Sequence, residues 1–199
     1  MKNLHKHLSN ITKSKATAAR PVLQHFNYNA ESQSIIACDS HRLLEFNSKE
    51  TIETTFNLHW QSMQLLDSSI KYPDIQRLKP EANTVAKINI NSIDKTVETL
   101  LKAYKKEVVK VTVSEKQLTI ETTSGQSVTT LDLLETVERT EVIYFQAAYL
   151  LDLFTMIIDY KKECNINCLN FGIKSTVCPA FFEPENRQFY YLITPVRMK

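Results

Sequence analysis

Asp39, Ser40 and His41 stand side by side, and these are the residue types that acyl-transfer hydrolases use as orienting acid, nucleophile and base. Neighbours on an extended chain point to opposite faces, so three consecutive residues cannot assemble a triad by themselves. With no further partner in view, His41 reads as a hydrogen-bonded structural histidine. The four cysteines, Cys38, Cys164, Cys168 and Cys178, offer a second chemistry. Cys164 and Cys168 lie four apart in an expected strand and can share one face, as half of a zinc site or a redox pair would require. The spacing is not C-x-x-C, and no second Cys/His pair follows at a matching interval. Reduced, half-buried thiols of a cytosolic protein are the reading we favour. The two glycines, Gly125 and Gly172, leave no Gly-rich loop able to cradle a phosphate. No catalytic residue, metal or cofactor is therefore expected, and the protein reads as a non-enzyme.

The 199 residues suit one large domain or two small ones, and 43% hydrophobic with 23% charged residues is the make-up of a soluble globular protein. A net charge of +2 is too mild to identify a nucleic-acid partner, although charge segregated onto one surface would escape that sum. No apolar run approaches the roughly 18 to 20 residues of a membrane span. The N-terminal MKNLHKHLSN lacks a secretory apolar core. A cytoplasmic protein without membrane association is expected.

The elements that must position these residues follow from periodicity. Leu4, Leu8 and Ile11 have helical spacing over residues 4–13, and Pro21 ends that region. From His25 the period falls to two, giving short antiparallel strands in HFNYNAES, SIIACDS, LLEFNS and TIETTFNL. Residues 58–66 return to helical spacing, with Trp60, Met63 and Leu65 or Leu66 on one face, and 72–83 reads as a linker. In the second half a strand at 85–90 precedes a helix capped by Asn91 or Ser92, with Ile93, Val97, Leu100, Leu101 and Tyr104 on its stripe. Strands follow at 108–113, 117–123, 128–134 and 141–145. A helix at 147–160 buries Leu150, Leu153, Phe154, Ile157 and Ile158, and strands at 164–171, 176–182 and 189–195 close the chain. This approximates a duplicated β-α-β-β-β unit, of class α+β, with antiparallel sheets and two helices packed on one face.

Several separated motifs then carry a resemblance. ARPVLQ (19–24) with ACDSHRLLE (37–45), YPDIQRLKP (72–80) and YYLITPVRMK (190–199) resemble, in order, segments of the bacterial sliding clamp, the DNA polymerase III beta subunit. FQAAYLLDLF (145–154) is a fourth, weaker match, and together the segments cover nearly the whole chain. The resemblance implies DNA-clamp-like domains: a shortened middle-type domain over 1–82 and a complete C-terminal-type domain over 83–199. It implies no first domain. It also implies that the middle domain's opening strand and the strands between 66 and 72 are missing, with Lys199 one residue beyond the expected ending.

In that family such segments form a groove for the short linear motifs of DNA polymerases, the clamp loader and repair proteins. By position, its apolar floor would come from Leu23, Leu43, Leu78, Leu192, Ile193, Pro195 and Val196. The rim would use Ser40, His41, Arg42, Pro73, Arg77, Gln146, Tyr149 and Arg197. A greasy concave pocket with a few fixed donors suits a peptide of glutamine and apolar anchors. Against this stand plainer roles. Arg42 and Arg77 can pair with Asp39 and Asp74, Tyr149 can be core, and Pro195 can end an edge strand. The resemblance also implies contact with the double-stranded DNA backbone, for which Lys6, Lys13, Lys15, Arg20, Lys95, Lys102 and Lys106 are candidates. Lys95, Lys102 and Lys106 would share a helix face, although Asp94 and Glu98 beside them also fit a solvated one. Two function classes follow. One is a processivity factor that assembles into a closed homo-oligomer, for instance of three chains. The other is a non-encircling module or regulator that competes for clamp partners.

Overall fold

The computed structural model describes residues 3–67, 69–161, 163 and 165–198, so Cys164 and Lys199 lie outside the described residues. The chain divides into two compact units, Met1–Leu78 with Arg187–Tyr191, and Lys79–Asn186 with Leu192–Lys199. Among the described residues no helix is long and apolar enough to cross a membrane.

The first unit begins with α1 (Leu4–Thr12), followed by β1 (His25–Asn29), β2 (Ser34–Cys38), β3 (Arg42–Asn47) and β4 (Phe56–His59). The strands are antiparallel in the order β4-β1-β2-β3. Nine residues are too few for a helix to stand alone in water. α1 is held because it packs on β1, β2 and β3 with Leu8 and Ile11 buried, each worth roughly 1.5–3 kcal/mol. The β1–β2 turn is set by Asn29, whose side-chain oxygen accepts from the N–H groups of Glu31 (2.9 Å) and Ser32 (3.0 Å). On the far side of β3, the Asn47 N–H donates to the Gln188 carbonyl at 3.0 Å.

Residues 58–66 do not form the expected helix. Leu58 ends its run in β4, opposite Phe26, and the chain turns back so that Leu58 bridges Leu65. The His59 N–H donates to Gln64 at 2.9 Å, and Leu66 to Asn57 at 3.0 Å. Met63 takes a left-handed φ of 56° inside this turn. Nine residues are too short a window for three apolar positions to separate a helix from a hairpin, and pairing with β1 decides for the strand. Histidines pin the turn. His59 Nδ1 accepts from the Ser62 N–H at 3.1 Å, and His5 Nε2 donates to the Trp60 carbonyl at 3.0 Å.

The second unit contains β5 (Thr84–Asn89), α2 (Lys95–Ala103), β6 (Val108–Ser114), β7 (Gln117–Thr122), β8 (Val128–Asp132), β9 (Glu141–Gln146), α3 (Ala147–Tyr160), β10 (Cys168–Ile173) and β11 (Ala180–Pro184). The last strand, β12, is Phe189–Ile193. One sheet runs β8-β7-β6-β9, and β11-β10-β5 form a second antiparallel set. Strand β6 alternates buried and half-buried residues along its length, with Val109, Val111 and Val113 inward. α2 and α3 pack on each other, and α3 lies where the apolar spacing places it. Its buried stripe gains Leu151, Met156 and Tyr160, while Ile158 is only half-buried. At Gly172 an added Cβ would run into the Phe181 ring, and the flanking Phe171 and Phe182 rings stack 4.4 Å apart.

Several boundaries differ from expectation: β4 starts only at Phe56, and β11 at Ala180 rather than 176. Asp94, not Asn91 or Ser92, caps α2 by accepting from the Thr96 N–H at 2.8 Å, because Asn89 first folds residues 90–92 into a separate 3-10 turn. α2 then ends at Ala103, so Lys106 lies beyond it and does not share a helical face with Lys95 and Lys102. Strand β10 starts at Cys168 rather than 164, after Asn165 adopts a φ of 50°.

His25 gives this fold a pH dependence. Burial lowers its pKa below the ordinary 6.5, with His59 adding to that effect and a hydrogen bond to the Pro21 carbonyl (2.9 Å) opposing it. Protonation therefore favours the unfolded chain, so the contribution of His25 is intact above pH 6.5 and declines as pH falls through 6.5 toward the folded-state value. Urea denaturation at pH 7.5 and pH 5 should show a smaller loss of stability on acidification for His25→Gln than for the natural chain.

Candidate functional site

The turn between β2 and β3 carries Ser40, His41 and Arg42, and Asp39 builds it. The Asp39 Oδ1 accepts from the N–H groups of His41 (3.0 Å) and Arg42 (2.7 Å), while Oδ2 meets Arg42 Nε at 3.2 Å and Nη2 at 2.9 Å. Arg42 Nη2 also donates to the Asn10 carbonyl in α1 at 3.1 Å. Asp39 is 0% and Arg42 5% exposed, so this is a buried structural ion pair. Ser40 and His41 are exposed at the tip. The Asp39 carboxylate is taken up by Arg42 and backbone N–H groups, not by an imidazole, so the three consecutive residues form no triad. Burial also pushes the Cys38 thiol up to about 12, which keeps it protonated and un-nucleophilic at neutral pH.

The remaining expected residues of the first unit divide by exposure. Leu23, in the 3-10 turn at Pro21–Gln24, and Leu43 on β3 are buried in the core. Pro73, Arg77 and Leu78 are exposed, Leu78 to 44%. Arg77 pairs with Asp74 at 3.0 Å, but the two side chains are 86% and 55% exposed. Such a pair is worth about 0–1 kcal/mol and can open for a ligand.

In the second unit, Leu192 and Ile193 are buried at the end of β12, and Pro195 follows that end by two residues. Pro195 and Val196 are half-buried and Arg197 is exposed. The tail is fixed by the Val196 N–H, which donates to the Tyr144 carbonyl of β9 at 2.7 Å. Gln146 and Tyr149, at the start of α3, are half-buried. Of the basic candidates, Lys6, Lys13, Lys15 and Arg20 are exposed in the first unit, as are Lys95, Lys102 and Lys106 in the second. Lys13 donates to Asn10 Oδ1 at 2.7 Å. Asn27 and Asn57 give no signal in the sequence, because these polar residues at inward strand positions meet only once β1 and β4 are in register.

This architecture of antiparallel sheets with helices packed beside them is that of the bacterial sliding clamps, the beta subunits of DNA polymerase III. The sliding clamp of Bacillus subtilis has a TM-score of 0.75 over 99% of this chain and 63% of its own, at 19% identity. The beta subunit of Streptococcus pyogenes has a TM-score of 0.70 at 21% identity, covering 98% of this chain and 64% of that one. A Bartonella birtlesii sliding clamp bound to griselimycin has a TM-score of 0.69 at 17% identity, covering 97% and 64%. No family model and no curated protein matches the sequence. At these identities the likeness establishes the clamp fold, and the chain spans a little under two thirds of the length of the clamps it matches.

The two arginines should separate cleanly. Arg42→Ala leaves Asp39 charged, buried and short of its partner, and should cost about 3–5 kcal/mol in urea denaturation. Arg77→Ala should change stability by less than about 1 kcal/mol.

Proposed function

We propose that the chain is a sliding-clamp-like accessory protein of DNA replication. It docks the clamp-binding motifs of DNA polymerases, the clamp loader and repair proteins, and it confers processivity where it encloses DNA. The observation that supports this most is the clamp fold over 97–99% of the chain, shared with a clamp solved with griselimycin bound. In this reading Leu78, Pro195 and Val196 supply apolar contacts to a peptide. Ser40, His41, Pro73, Arg77, Gln146, Tyr149 and Arg197 line its edge. Leu23 and Leu43 in the first unit, and Leu192 and Ile193 in the second, are core residues that support the displayed ones, and Arg42 holds the turn that presents Ser40 and His41.

Burial of the back layer decides which variants test the reading. A charge at Leu43 or Leu192 would unfold its unit, whereas Leu78 and Val196 can be changed with the core intact. Fluorescence anisotropy with a labelled peptide carrying a glutamine and two apolar anchors should show at least about tenfold weaker binding for Leu78→Asp and for Val196→Asp. Melting temperatures should be nearly unchanged. Unaltered affinity in both variants rules out the groove assignment.

A module that docks the same motifs without enclosing DNA is the second reading, and it needs no ring. Light scattering across a concentration series separates the two. A stable trimer or other closed species favours enclosure, and a persistent monomer favours docking alone. For the enclosing form, affinity for duplex DNA should fall steeply with salt. Replacing Lys6, Lys13 and Lys15 by glutamine should flatten that slope by about 0.9 for each phosphate that is no longer neutralised.

A further inference from the structure

Strand β8 ends its sheet, and its outer edge is open at two residues. The Thr122 N–H donates to the Ser127 carbonyl at 3.0 Å and the Leu133 N–H to the Lys116 carbonyl at 2.8 Å, which fixes the phase of the β7–β8 ladder. Residues 127, 129, 131 and 133 therefore bond to β7, and the even-numbered ones point their backbone groups outward. Further along that edge, the Asp132 N–H donates to Ser92 Oγ at 3.2 Å and the Leu134 N–H to the Lys87 carbonyl at 2.8 Å. The N–H and C=O groups of Val128 and Thr130 have no partner among the described residues. The other outer strands are each met by a backbone N–H: β4 by Leu66 at Asn57, β5 by Leu134 at Lys87, and β9 by Val196 at Tyr144.

An open edge is a template for another strand, and sheets usually blunt it with Lys, Pro or a bulge. Residues 128–131 carry none of these, and Val128 is 62% exposed. The strand is also complementary to itself. In an antiparallel pair about a two-fold axis at Thr129, Val128 of one copy faces Thr130 of the other. The unmet N–H and C=O groups of both residues are then all satisfied, and Asp132 keeps its bond to Ser92. Thr129 meets Thr129 at the axis and Gln126 faces Asp132, so no like charges are opposed. The flank of α2 beside this edge suits the approach. Thr96, Thr99, Leu100 and Ala103 border a shallow depression of about 760 Å³, with Lys95 the charged residue in its lining. We infer that this edge is an interface between two copies of the chain, paired antiparallel through β8 about a two-fold axis at Thr129. It uses none of the peptide-docking residues proposed above, so either reading can fail alone.

So short a contact makes a transient pair rather than an obligate one. Light scattering of the full chain, carried to millimolar concentration, should rise toward twice the monomer mass. Thr130→Pro removes an outward N–H and leaves the bonds to β7 in place, and should weaken self-association at least about tenfold with melting temperature nearly unchanged. Should that variant disturb the strand, Thr129→Cys decides. Facing residues of a non-hydrogen-bonded pair lie about 4.5 Å apart, within disulfide reach. Mild oxidation should therefore link Thr129→Cys into a covalent dimer more readily than the more exposed Val128→Cys, which lies off the axis. A mass that stays monomeric, or full self-association in a folded Thr130→Pro, overturns the proposal. Faster linking of Val128→Cys than of Thr129→Cys overturns the two-fold at Thr129.

Discussion

The Asp39–Arg42 pair is the contact on which the first unit's geometry depends. One carboxylate closes the β2–β3 turn through two backbone N–H groups and holds a guanidinium that reaches across to the α1 carbonyl of Asn10. A buried ion pair adds little net stability, because desolvating both charges offsets their attraction. What it contributes is specificity, since any other arrangement of turn and helix would strand a charge. Helix α1 is too short to be stable alone, so the bond to Asn10 and the burial of Leu8 and Ile11 together decide where it lies. Ser40 and His41 are displayed at the surface as a consequence of that constraint.

The second unit is the more legible from sequence because its signals are long and agree with one another. Fourteen residues of α3 and seven of β6 repeat their periods often enough to exclude the alternative. The first unit misleads at 58–66, where three apolar residues fit a helix and the pairing of β4 with β1 overrides them. Local polar residues move other boundaries. Asn89 and Asp94 both accept from the backbone two residues on, and which of them starts α2 is settled only by the 3-10 turn between them. Lys106 leaves its expected helical face because α2 ends at Ala103, earlier than its apolar stripe suggests.

The candidate site is legible as a set of positions and not as a set of roles. Position in a motif does not reveal exposure. Leu23, Leu43 and Leu78 look alike in the sequence, yet two are core and one is displayed. Arg42 and Arg77 likewise share an Asp three residues earlier, and burial alone makes one structural and leaves the other available. The attraction that binds the pair at 5% and 0% exposure is nearly lost to solvent at 86% and 55%.

A fold retained at 19–21% identity must rest on features that tolerate substitution: strand alternation, apolar helix stripes and short turns. Polar groups inside a sheet are a different matter, because each has to be matched by a specific partner. In the first unit the matched cases, Asp39 with Arg42 and Ser34 with Glu45 at 3.1 Å, lie on the strands β2 and β3 and the turn between them. Asn27 with Asn57 at 2.9 Å is a further matched pair, between β1 and β4, so the polar groups kept inside the sheet are ones that tie neighbouring strands together, while the apolar positions around them are free to change.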